Sequence, residues 1–222
     1  NKPSLRESII QYTKLIENMT DNDTTIEERI ELIHIIGNND NNLQSAKMLI
    51  DNFRHIQWHT LYDFWKELGE ALQKQGYKIF QSVQNEKIDL LVHGGPKQRK
   101  IDLDMIIITN RELPIHINAE YEDWLFWGIY EDKDKAKIPE IYKEAIKELT
   151  DRNDKYQKEG NWICWKYLSC NEDENIVCSD FSEEGTFKLI SPKHRSKIVE
   201  NIISEINQFV MELKNIASKS NL

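Results

Sequence analysis

Two short runs near the middle of the chain alternate strictly between apolar and polar residues. Residues 101–105 have the sequence Ile-Asp-Leu-Asp-Met, and residues 115–120 have the sequence Ile-His-Ile-Asn-Ala-Glu. Because successive side chains of a β-strand point to opposite faces, each run predicts a strand with one apolar and one polar face. The apolar face needs cover from other elements, and this requirement limits the folds that the chain can adopt.

The two runs lie within residues 87–130, which predict three neighbouring strands. The segments 87–94, 100–112 and 113–130 are each rich in β-branched, leucine and aromatic residues, and turn-forming residues close each of them. Four other segments predict further strands: residues 77–83, 161–169, 176–181 and 187–190.

Apolar residues at helical spacing predict helices on both sides of the sheet. Helical stripes begin at Leu5, Ile26, Leu43 and Leu61, and a break near Trp58 separates the last two. Two later helices follow, over residues 138–149 and 192–213. The sequence predicts an α+β fold with an N-terminal helical layer, a central and mainly antiparallel sheet, and a C-terminal helix packed on that sheet. A helical subdomain (residues 1–76) and a sheet-containing part (residues 77–222) are expected to form one compact unit.

Composition excludes some classes of protein. The formal net charge of −9 argues against a dedicated duplex-binding domain, because the phosphate backbone attracts basic faces. No run approaches the roughly 18–20 apolar residues that span a bilayer, so we expect no association with a membrane. The chain begins at Asn1 without a methionine or a signal peptide, and we expect it to be a trimmed part of a longer protein.

The cysteines and histidines predict no metal site and no cofactor in this chain. Cys164, Cys170 and Cys178 lie at intervals that fit no zinc knuckle. An odd number of cysteines without a secretion signal favours reduced thiols with packing roles in the cytoplasm. The six histidines include no HExxH or comparable pair of ligands.

Five polar residues of the predicted strands form the first candidate site. They are Asp102, Asp104, His116, Asn118 and Glu120, and the alternation places them on one face of the sheet. A carboxylate that is buried without a partner costs roughly several kcal/mol, so this face either contacts water or receives a ligand. We interpret the five residues either as a solvated sheet face or as the ligand-binding site of a small-molecule or peptide sensor.

A basic run is the second candidate. Lys97, Arg99 and Lys100 follow the Gly94-Gly95-Pro96 turn between two predicted strands. Positive side chains on an exposed loop can contact phosphates, so we expect weak binding of nucleic acid at these residues. An ordinary solvated loop explains the same composition.

An aromatic run lies at the end of the predicted strand region. Trp124, Phe126, Trp127 and Tyr130 put aromatic side chains on both faces of one strand, which is typical of a central strand in a core. A strand beneath a ligand pocket would give the same pattern.

Three residues match the catalytic pattern of PD-(D/E)XK nucleases in form. These enzymes use an aspartate, then an acid and a lysine two residues apart, to hold a divalent cation and position the attacking water. Asp104, Glu131 and Lys133 have this spacing. Chance explains the match equally well, because 30% of the residues are charged and residues 131–135 form an unbroken charge run.

Two stretches resemble a bacterial group of the PD-(D/E)XK nuclease superfamily. Residues 4–16 resemble the segment that follows the nuclease core in that group, and residues 42–46 and 64–68 resemble its next helices. The resemblance covers roughly residues 3–76, and later parts only in outline. It implies that the nuclease core, with its Mg²⁺ chemistry, lies upstream and is absent from this chain. No catalytic residue of the family carries over to a position here.

The sequence therefore predicts a non-catalytic accessory domain, for recognition or regulation, in a nuclease-family protein of phage defence or DNA processing. Its expected partners are the upstream nuclease domain of the same protein and, weakly, nucleic acid. Two alternatives stay open. One is a divergent metal-dependent nuclease that uses Asp104, Glu131 and Lys133, and the other is the sensor on the polar sheet face.

Overall fold

The computed structural model describes residues 26–37, 40–95, 97, 100–109, 113–120, 123–131, 138–171 and 174–219. The helices, in chain order, are α1 (Ile26–Gly37), α2 (Asp40–Lys74), α3 (Asn85–His93), α4 (Glu140–Arg152), α5 (Glu184–Lys188) and α6 (Pro192–Lys219). The strands are β1 (Lys78–Gln81), β2 (Leu103–Ile108), β3 (Pro114–Ala119), β4 (Phe126–Tyr130), β5 (Gln157–Glu159), β6 (Trp162–Tyr167), β7 (Ser169–Asn171) and β8 (Glu174–Asn175).

Six of these strands form one antiparallel sheet in the order β1-β2-β3-β4-β6-β5. The strands β1 to β4 follow one another in sequence order, and β6 pairs with β4 after the chain has passed through α4 and β5. The strands β7 and β8 form a separate two-stranded sheet. The predicted α+β fold with a central antiparallel sheet is confirmed.

One face of the large sheet, the inner face, is buried. Along β2 and β3 the buried residues alternate with half-buried ones, so that Met105 and Ile117 are covered while Asp104 and Asn118 are not. The cover comes from α2 and α6. A Cβ atom at Gly69 of α2 would lie 3.5 Å from the Met105 Cε atom, which is ordinary van der Waals contact.

Contacts of Trp127 place α6 on the same inner face. The Trp127 indole Nε1 donates a hydrogen bond of 2.7 Å to Glu205 Oε1, and the ring centroids of Trp127 and Phe209 are 4.6 Å apart. A buried indole needs such an acceptor, because an unpaired buried N–H group costs free energy. The opposite side of the sheet, the outer face, carries half-exposed side chains of β2, β3, β4 and β6.

An ion-pair network joins α6 to α2. Arg195 Nε donates to Glu67 Oε2 at 3.0 Å, and Arg195 Nη1 donates to the carbonyl oxygen of Leu189 at 3.1 Å. Ser196 Oγ donates to the other carboxylate oxygen of Glu67 at 2.5 Å. The two helices that cover the sheet are thus joined by charge-assisted hydrogen bonds as well as by apolar packing.

Residues 87–94 do not form the strand that the sequence predicts. They belong to α3, whose buried residues are Ile88, Leu91 and Val92. These positions are separated by three and four residues, so a helix places them on one side, whereas a strand would divide them between two faces. A short apolar run does not distinguish the two structures by periodicity alone.

Two other strands predicted from the sequence are also wrong, and so is the helix break near Trp58. Residues 176–181 form turns, because the buried Thr186 hydroxyl bonds both the N–H and the C=O of Val177 and so occupies groups that a strand ladder would use. Residues 187–190 belong to α5 and the turns after it. The helix α2 continues through Trp58, which stacks on Tyr62 one turn later.

Contacts divide the chain into two compact units, residues 1–56 and 57–222. In the first unit, Asn42 Nδ2 donates a hydrogen bond of 2.8 Å to the carbonyl oxygen of Ile35, and Ile33, Leu43 and Ile50 are exposed. The helical stripe that begins at Leu5 lies outside the described residues. The second unit contains both sheets, the helices α3 to α6 and the part of α2 from residue 57 onward. The division at residue 76 that the sequence suggests stays a prediction.

Within the described residues, every helix is too short or too polar to cross a membrane.

Candidate functional site

The five polar residues predicted to bind a ligand lie at one end of the β2–β3 pair. Asp104 and Asn118 are register partners, and His116 lies two residues from Asn118 along β3. Asp102 and Glu120 flank the same end, just before β2 and just after β3. Asp102 is exposed and the other four residues are half-buried. The structure brings the five together on one part of the sheet, and their role as ligand contacts stays a prediction.

Hydrogen bonds fix the orientation of the Asp104 carboxylate. His116 Nδ1 lies 3.3 Å from Asp104 Oδ1, and Gln81 Nε2 donates to Asp104 Oδ2 at 3.4 Å. Asn118 differs, because its Oδ1 atom is buried and has no hydrogen-bond donor within the described part of the chain. A buried acceptor without a donor costs about 1–3 kcal/mol, so Asn118 is the least satisfied polar group of this face.

Aromatic side chains continue the outer face from β3 across β4 and β6. We call this group the aromatic shelf: Trp124, Phe126, Tyr130, Trp162, Trp165 and Tyr167. The register places Tyr167 beside Phe126, Trp165 beside Gly128, and Trp162 beside Tyr130. Trp124 is 42% exposed, Phe126 is buried, and the other four are half-buried.

The rings of the shelf meet edge to face. The centroids of Phe126 and Trp162 are 5.2 Å apart, and those of Trp165 and Tyr167 are 5.0 Å apart. The His116 ring joins the shelf at 5.6 Å from Trp162 and 5.9 Å from Tyr130. The polar residues of β2 and β3 and the aromatic residues of β4 and β6 therefore form one continuous surface.

Gly128 makes this arrangement of rings possible. A Cβ atom at this position would lie 2.6 Å from both the Cys164 carbonyl oxygen and the Trp165 Cβ atom, and 2.9 Å from the Trp162 ring. The missing side chain leaves room for the Trp162 indole above β4. A glycine within a strand often marks such a close approach.

Three carboxylates lie at the border of the shelf, and we call them the acidic rim: Glu120, Asp123 and Glu159. Burial raises the pKa of Glu120, and the charges of Asp102, Asp123 and Glu159 raise it further. A raised pKa means that the ionised form disfavours folding at neutral pH, and this penalty disappears as the pH falls below that pKa. The rim is thus a region of negative potential with a partly desolvated carboxylate.

Tyr167 connects the rim to the shelf. Its hydroxyl donates to Asp123 Oδ2 at 3.3 Å, and its ring lies 5.0 Å from that of Trp124. Burial raises the pKa of Tyr167, and the nearby charge of Asp123 adds to the effect. Tyr167 therefore stays neutral at physiological pH and holds Asp123 beside the aromatic rings.

The two described residues of the nuclease-like pattern, Asp104 and Glu131, do not converge. Gly128 is level with His116 and Ile106, so Glu131 lies five residues and two strands from Asp104. At about 3.3 Å per residue and 4.8 Å per strand, their Cα atoms are roughly 19 Å apart, too far to share one cation. Glu131 instead pairs with Lys143 Nζ at 2.5 Å and raises the pKa of that lysine. Lys133 lies outside the described residues.

The basic run and the possible metal ligands form no cluster in the described part of the chain. Lys97 and Lys100 are exposed, and Arg99 lies outside the described residues. No group of three or more histidine, cysteine, aspartate or glutamate residues there could hold a metal ion. Cys164 is buried, and burial raises the pKa of its thiol to about 12, so the thiol stays protonated.

The sequence does not predict that the polar residues of β2 and β3 and the aromatic residues of β4 and β6 lie on one surface. The aromatic run predicts core packing on both faces of β4, and this is correct for Trp127 and Phe126, which are buried, but not for Tyr130 and Trp124. Trp162 and Trp165 reach the shelf because β6 pairs with β4 across an insertion of more than 30 residues. Alternation within a strand indicates which residues lie on each face. No local sequence pattern indicates which other strand it pairs with.

Comparisons of this chain with protein families, with curated proteins and with solved structures find no match. The resemblance to the PD-(D/E)XK superfamily therefore stays a prediction from the sequence.

We expect Gly128→Ala to destabilise the protein by about 2–3 kcal/mol, because the added methyl group meets a backbone oxygen that cannot move away. The matched control is Gly69→Ala, where the methyl group meets only Met105 at 3.5 Å. Alanine in the interior of a helix is favoured, so the control should be stabilised by up to about 1 kcal/mol. Urea unfolding followed by circular dichroism measures both. Equal effects of the two substitutions would contradict the packing at Gly128.

Proposed function

We propose that this chain is a non-catalytic recognition module that binds its ligand on the outer face of the large sheet. One observation carries the proposal. The sheet is covered on its inner face by α2 and α6, while its outer face carries half-exposed aromatic rings beside a row of polar side chains. A contiguous group of half-exposed aromatic side chains is costly on a surface without a function, and such groups are enriched at binding sites.

The context of the module is the second part of the proposal. From the sequence resemblance, we propose that it belongs to a larger bacterial nuclease-family protein of phage defence or DNA processing, with its nuclease core and Mg²⁺ upstream. A cytoplasmic location fits the free thiols of Cys164 and Cys178, both of which are buried. The upstream domain is the first expected partner, and nucleic acid is expected to bind only weakly.

A catalytic role for this chain has less support. The two carboxylates of the nuclease-like pattern are separated by two strands, and one of them is held by Lys143. Metal-dependent hydrolysis needs carboxylates that converge on the cation. Recognition needs only a fixed surface, and Asp104, His116 and Gln81 hold one another in place.

We expect the isolated chain to cleave neither DNA nor RNA in the presence of Mg²⁺ or Mn²⁺. The physical reason is the separation of Asp104 from Glu131 in the sheet. Incubation with labelled single-stranded and double-stranded substrates, followed by gel electrophoresis, measures this. Cleavage that disappears in Glu131→Ala and Lys133→Ala, with the far-ultraviolet circular dichroism unchanged, would make this chain a nuclease and refute the proposal.

The six tryptophans provide a direct test of the binding surface. Their indole N–H signals in a ¹⁵N-labelled chain can be assigned by single Trp→Phe replacements. We expect Trp124, Trp162 and Trp165 to shift on addition of at least one of three probes: an arginine-containing peptide, oligothymidine or maltoheptaose. Trp65 and Trp127 are buried on α2 and the inner face and serve as internal controls.

Two results would count against the shelf as a binding surface. One is that none of the three probes shifts the signals of Trp162 and Trp165. The other is that a probe shifts only Trp58, which lies on α2 beside Tyr62. Either result would refute the proposed binding of a ligand on the outer face of the sheet.

A further inference from the structure

We propose that the aromatic shelf and the acidic rim bind the guanidinium group of an arginine side chain, presented by a basic segment of a partner protein. The inference rests on the proposed function, because it names the chemistry of the ligand that the same surface takes. It follows from a juxtaposition of half-exposed aromatic rings with Glu120 and Asp123, between β3 and β4, and with Glu159 at the β5 border of the shelf.

The charge of the surface selects a cation. Glu120 is partly desolvated and faces the negative charges of Asp102, Asp123 and Glu159, all of which raise its pKa. Among the described residues, no lysine or arginine lies within ion-pair distance of Glu120, Asp123 or Glu159. A cation placed at the rim would relieve this repulsion, and an anion would increase it.

Lys158 of β5, Lys166 of β6 and Lys87 of α3 have other partners. Lys158 lies between the two outward residues of β5 and pairs with Asp151 at 3.0 Å. Lys166 of β6 pairs at 2.9 Å with Glu205, the acceptor of the inner-face indole. Lys87 Nζ donates to the Asp102 carbonyl oxygen at 3.0 Å and forms no ion pair with a rim carboxylate. These three lysines therefore bring no charge to the rim carboxylates.

The pairing of aromatic rings with a carboxylate favours a guanidinium group over a methylated ammonium group. The shelf rings meet one another edge to face. A planar guanidinium group can stack on one ring and at the same time donate two parallel hydrogen bonds to a carboxylate. Trp124 and Tyr167 lie beside Asp123, whose Oδ1 accepts from the Trp124 backbone N–H at 2.7 Å and whose Oδ2 accepts from the Tyr167 hydroxyl. A guanidinium group would use the second lone pair of each oxygen.

The unsatisfied acceptor on the same face points to a ligand that donates hydrogen bonds. Asn118 Oδ1 has no donor within the described part of the chain, and Asn118 is the neighbour of Asp104 and Phe126 in the sheet. A guanidinium group carries five N–H donors and no acceptor. A small rotation of the half-buried Asn118 side chain would present its oxygen to such a donor.

The width of the surface favours a peptide segment over a small molecule. From β3 to β5 the outer face spans three strand spacings, or about 14 Å. A small molecule usually binds in a concave pocket that surrounds most of it. An extended segment with arginine at alternate positions fits an open sheet face that is aromatic at its centre and has carboxylates at its borders.

Single-stranded nucleic acid is the rival occupant, since bases also stack on aromatic residues of open sheets. Such sites combine the aromatic residues with a basic groove that follows the phosphates. Among the described residues, Glu120, Asp123 and Glu159 lie beside the rings, and the chain carries a net charge of −9. Charge therefore favours the basic peptide.

The test is a titration of the chain with acetyl-Gly-Arg-Gly-Arg-Gly-amide, followed by the indole N–H signals. The matched probes replace both arginines with citrulline, which is neutral and nearly isosteric, or with lysine. We expect the citrulline peptide to bind about tenfold more weakly or worse and the lysine peptide to lie between them. Raising the salt from about 50 mM to about 500 mM should weaken the arginine peptide several-fold and leave the citrulline peptide unchanged.

A double variant, Glu120→Gln with Asp123→Asn, should weaken the arginine peptide about tenfold, because it removes two charges and keeps the size of the side chains. The control is Glu70→Gln, an exposed acid of α2 on the other side of the sheet, which should leave the affinity unchanged. The backbone amide spectrum of each variant verifies folding. If the double variant is unfolded, the citrulline and salt comparisons on the unaltered chain still decide the question.

Four results would overturn the inference. The citrulline peptide could bind as tightly as the arginine peptide, or the shelf signals could respond only to oligothymidine or maltoheptaose, in which case the recognition surface stands and its ligand is different. Shelf signals that shift with protein concentration alone would make a second copy of the chain the occupant. Shelf signals that shift in the free Arg99→Gln variant would make the chain's own basic run the occupant.

Discussion

Burial of the inner sheet face under α2 and α6 is the constraint on which the rest of the structure depends. Leu103, Met105, Ile115 and Ile117 are almost completely buried there. Each such side chain contributes about 1.5–3 kcal/mol when it leaves water. Because side chains alternate along a strand, the residues between these buried ones must lie on the outer face. The location of the candidate site is thus a consequence of the way the core is built.

The outer face has a composition that stability alone does not explain. A solvated sheet face usually carries polar residues, whereas β4 and β6 place Tyr130, Trp162, Trp165 and Tyr167 there. Gly128 has no side chain, and these rings can therefore lie close together. Glu120 carries a charge in a position where burial and neighbouring acids disfavour it. Natural proteins keep such unfavourable features most often where they bind something.

The sequence predicted the part of this surface that depends on local pattern. The alternation of residues 101–105 and 115–120 identified the faces of β2 and β3 and grouped Asp104, His116 and Asn118. It failed for α3, because residues 87–94 are too short for their periodicity to separate a helix from a strand. It also could not give the contribution of Trp162 and Trp165, since the pairing of β6 with β4 depends on contacts between residues far apart in the chain.

We expect the outer face to be uncovered in the free protein, and its accessibility to a soluble nitroxide radical measures this most directly. The radical accelerates the relaxation of protons that it can approach. We expect strong relaxation of the ring protons of Trp124, Trp162 and Trp165, and little effect on those of Trp65 and Trp127. Protection of Trp162 and Trp165 to the level of Trp127 would mean that another part of the chain covers the shelf, and it would contradict the account.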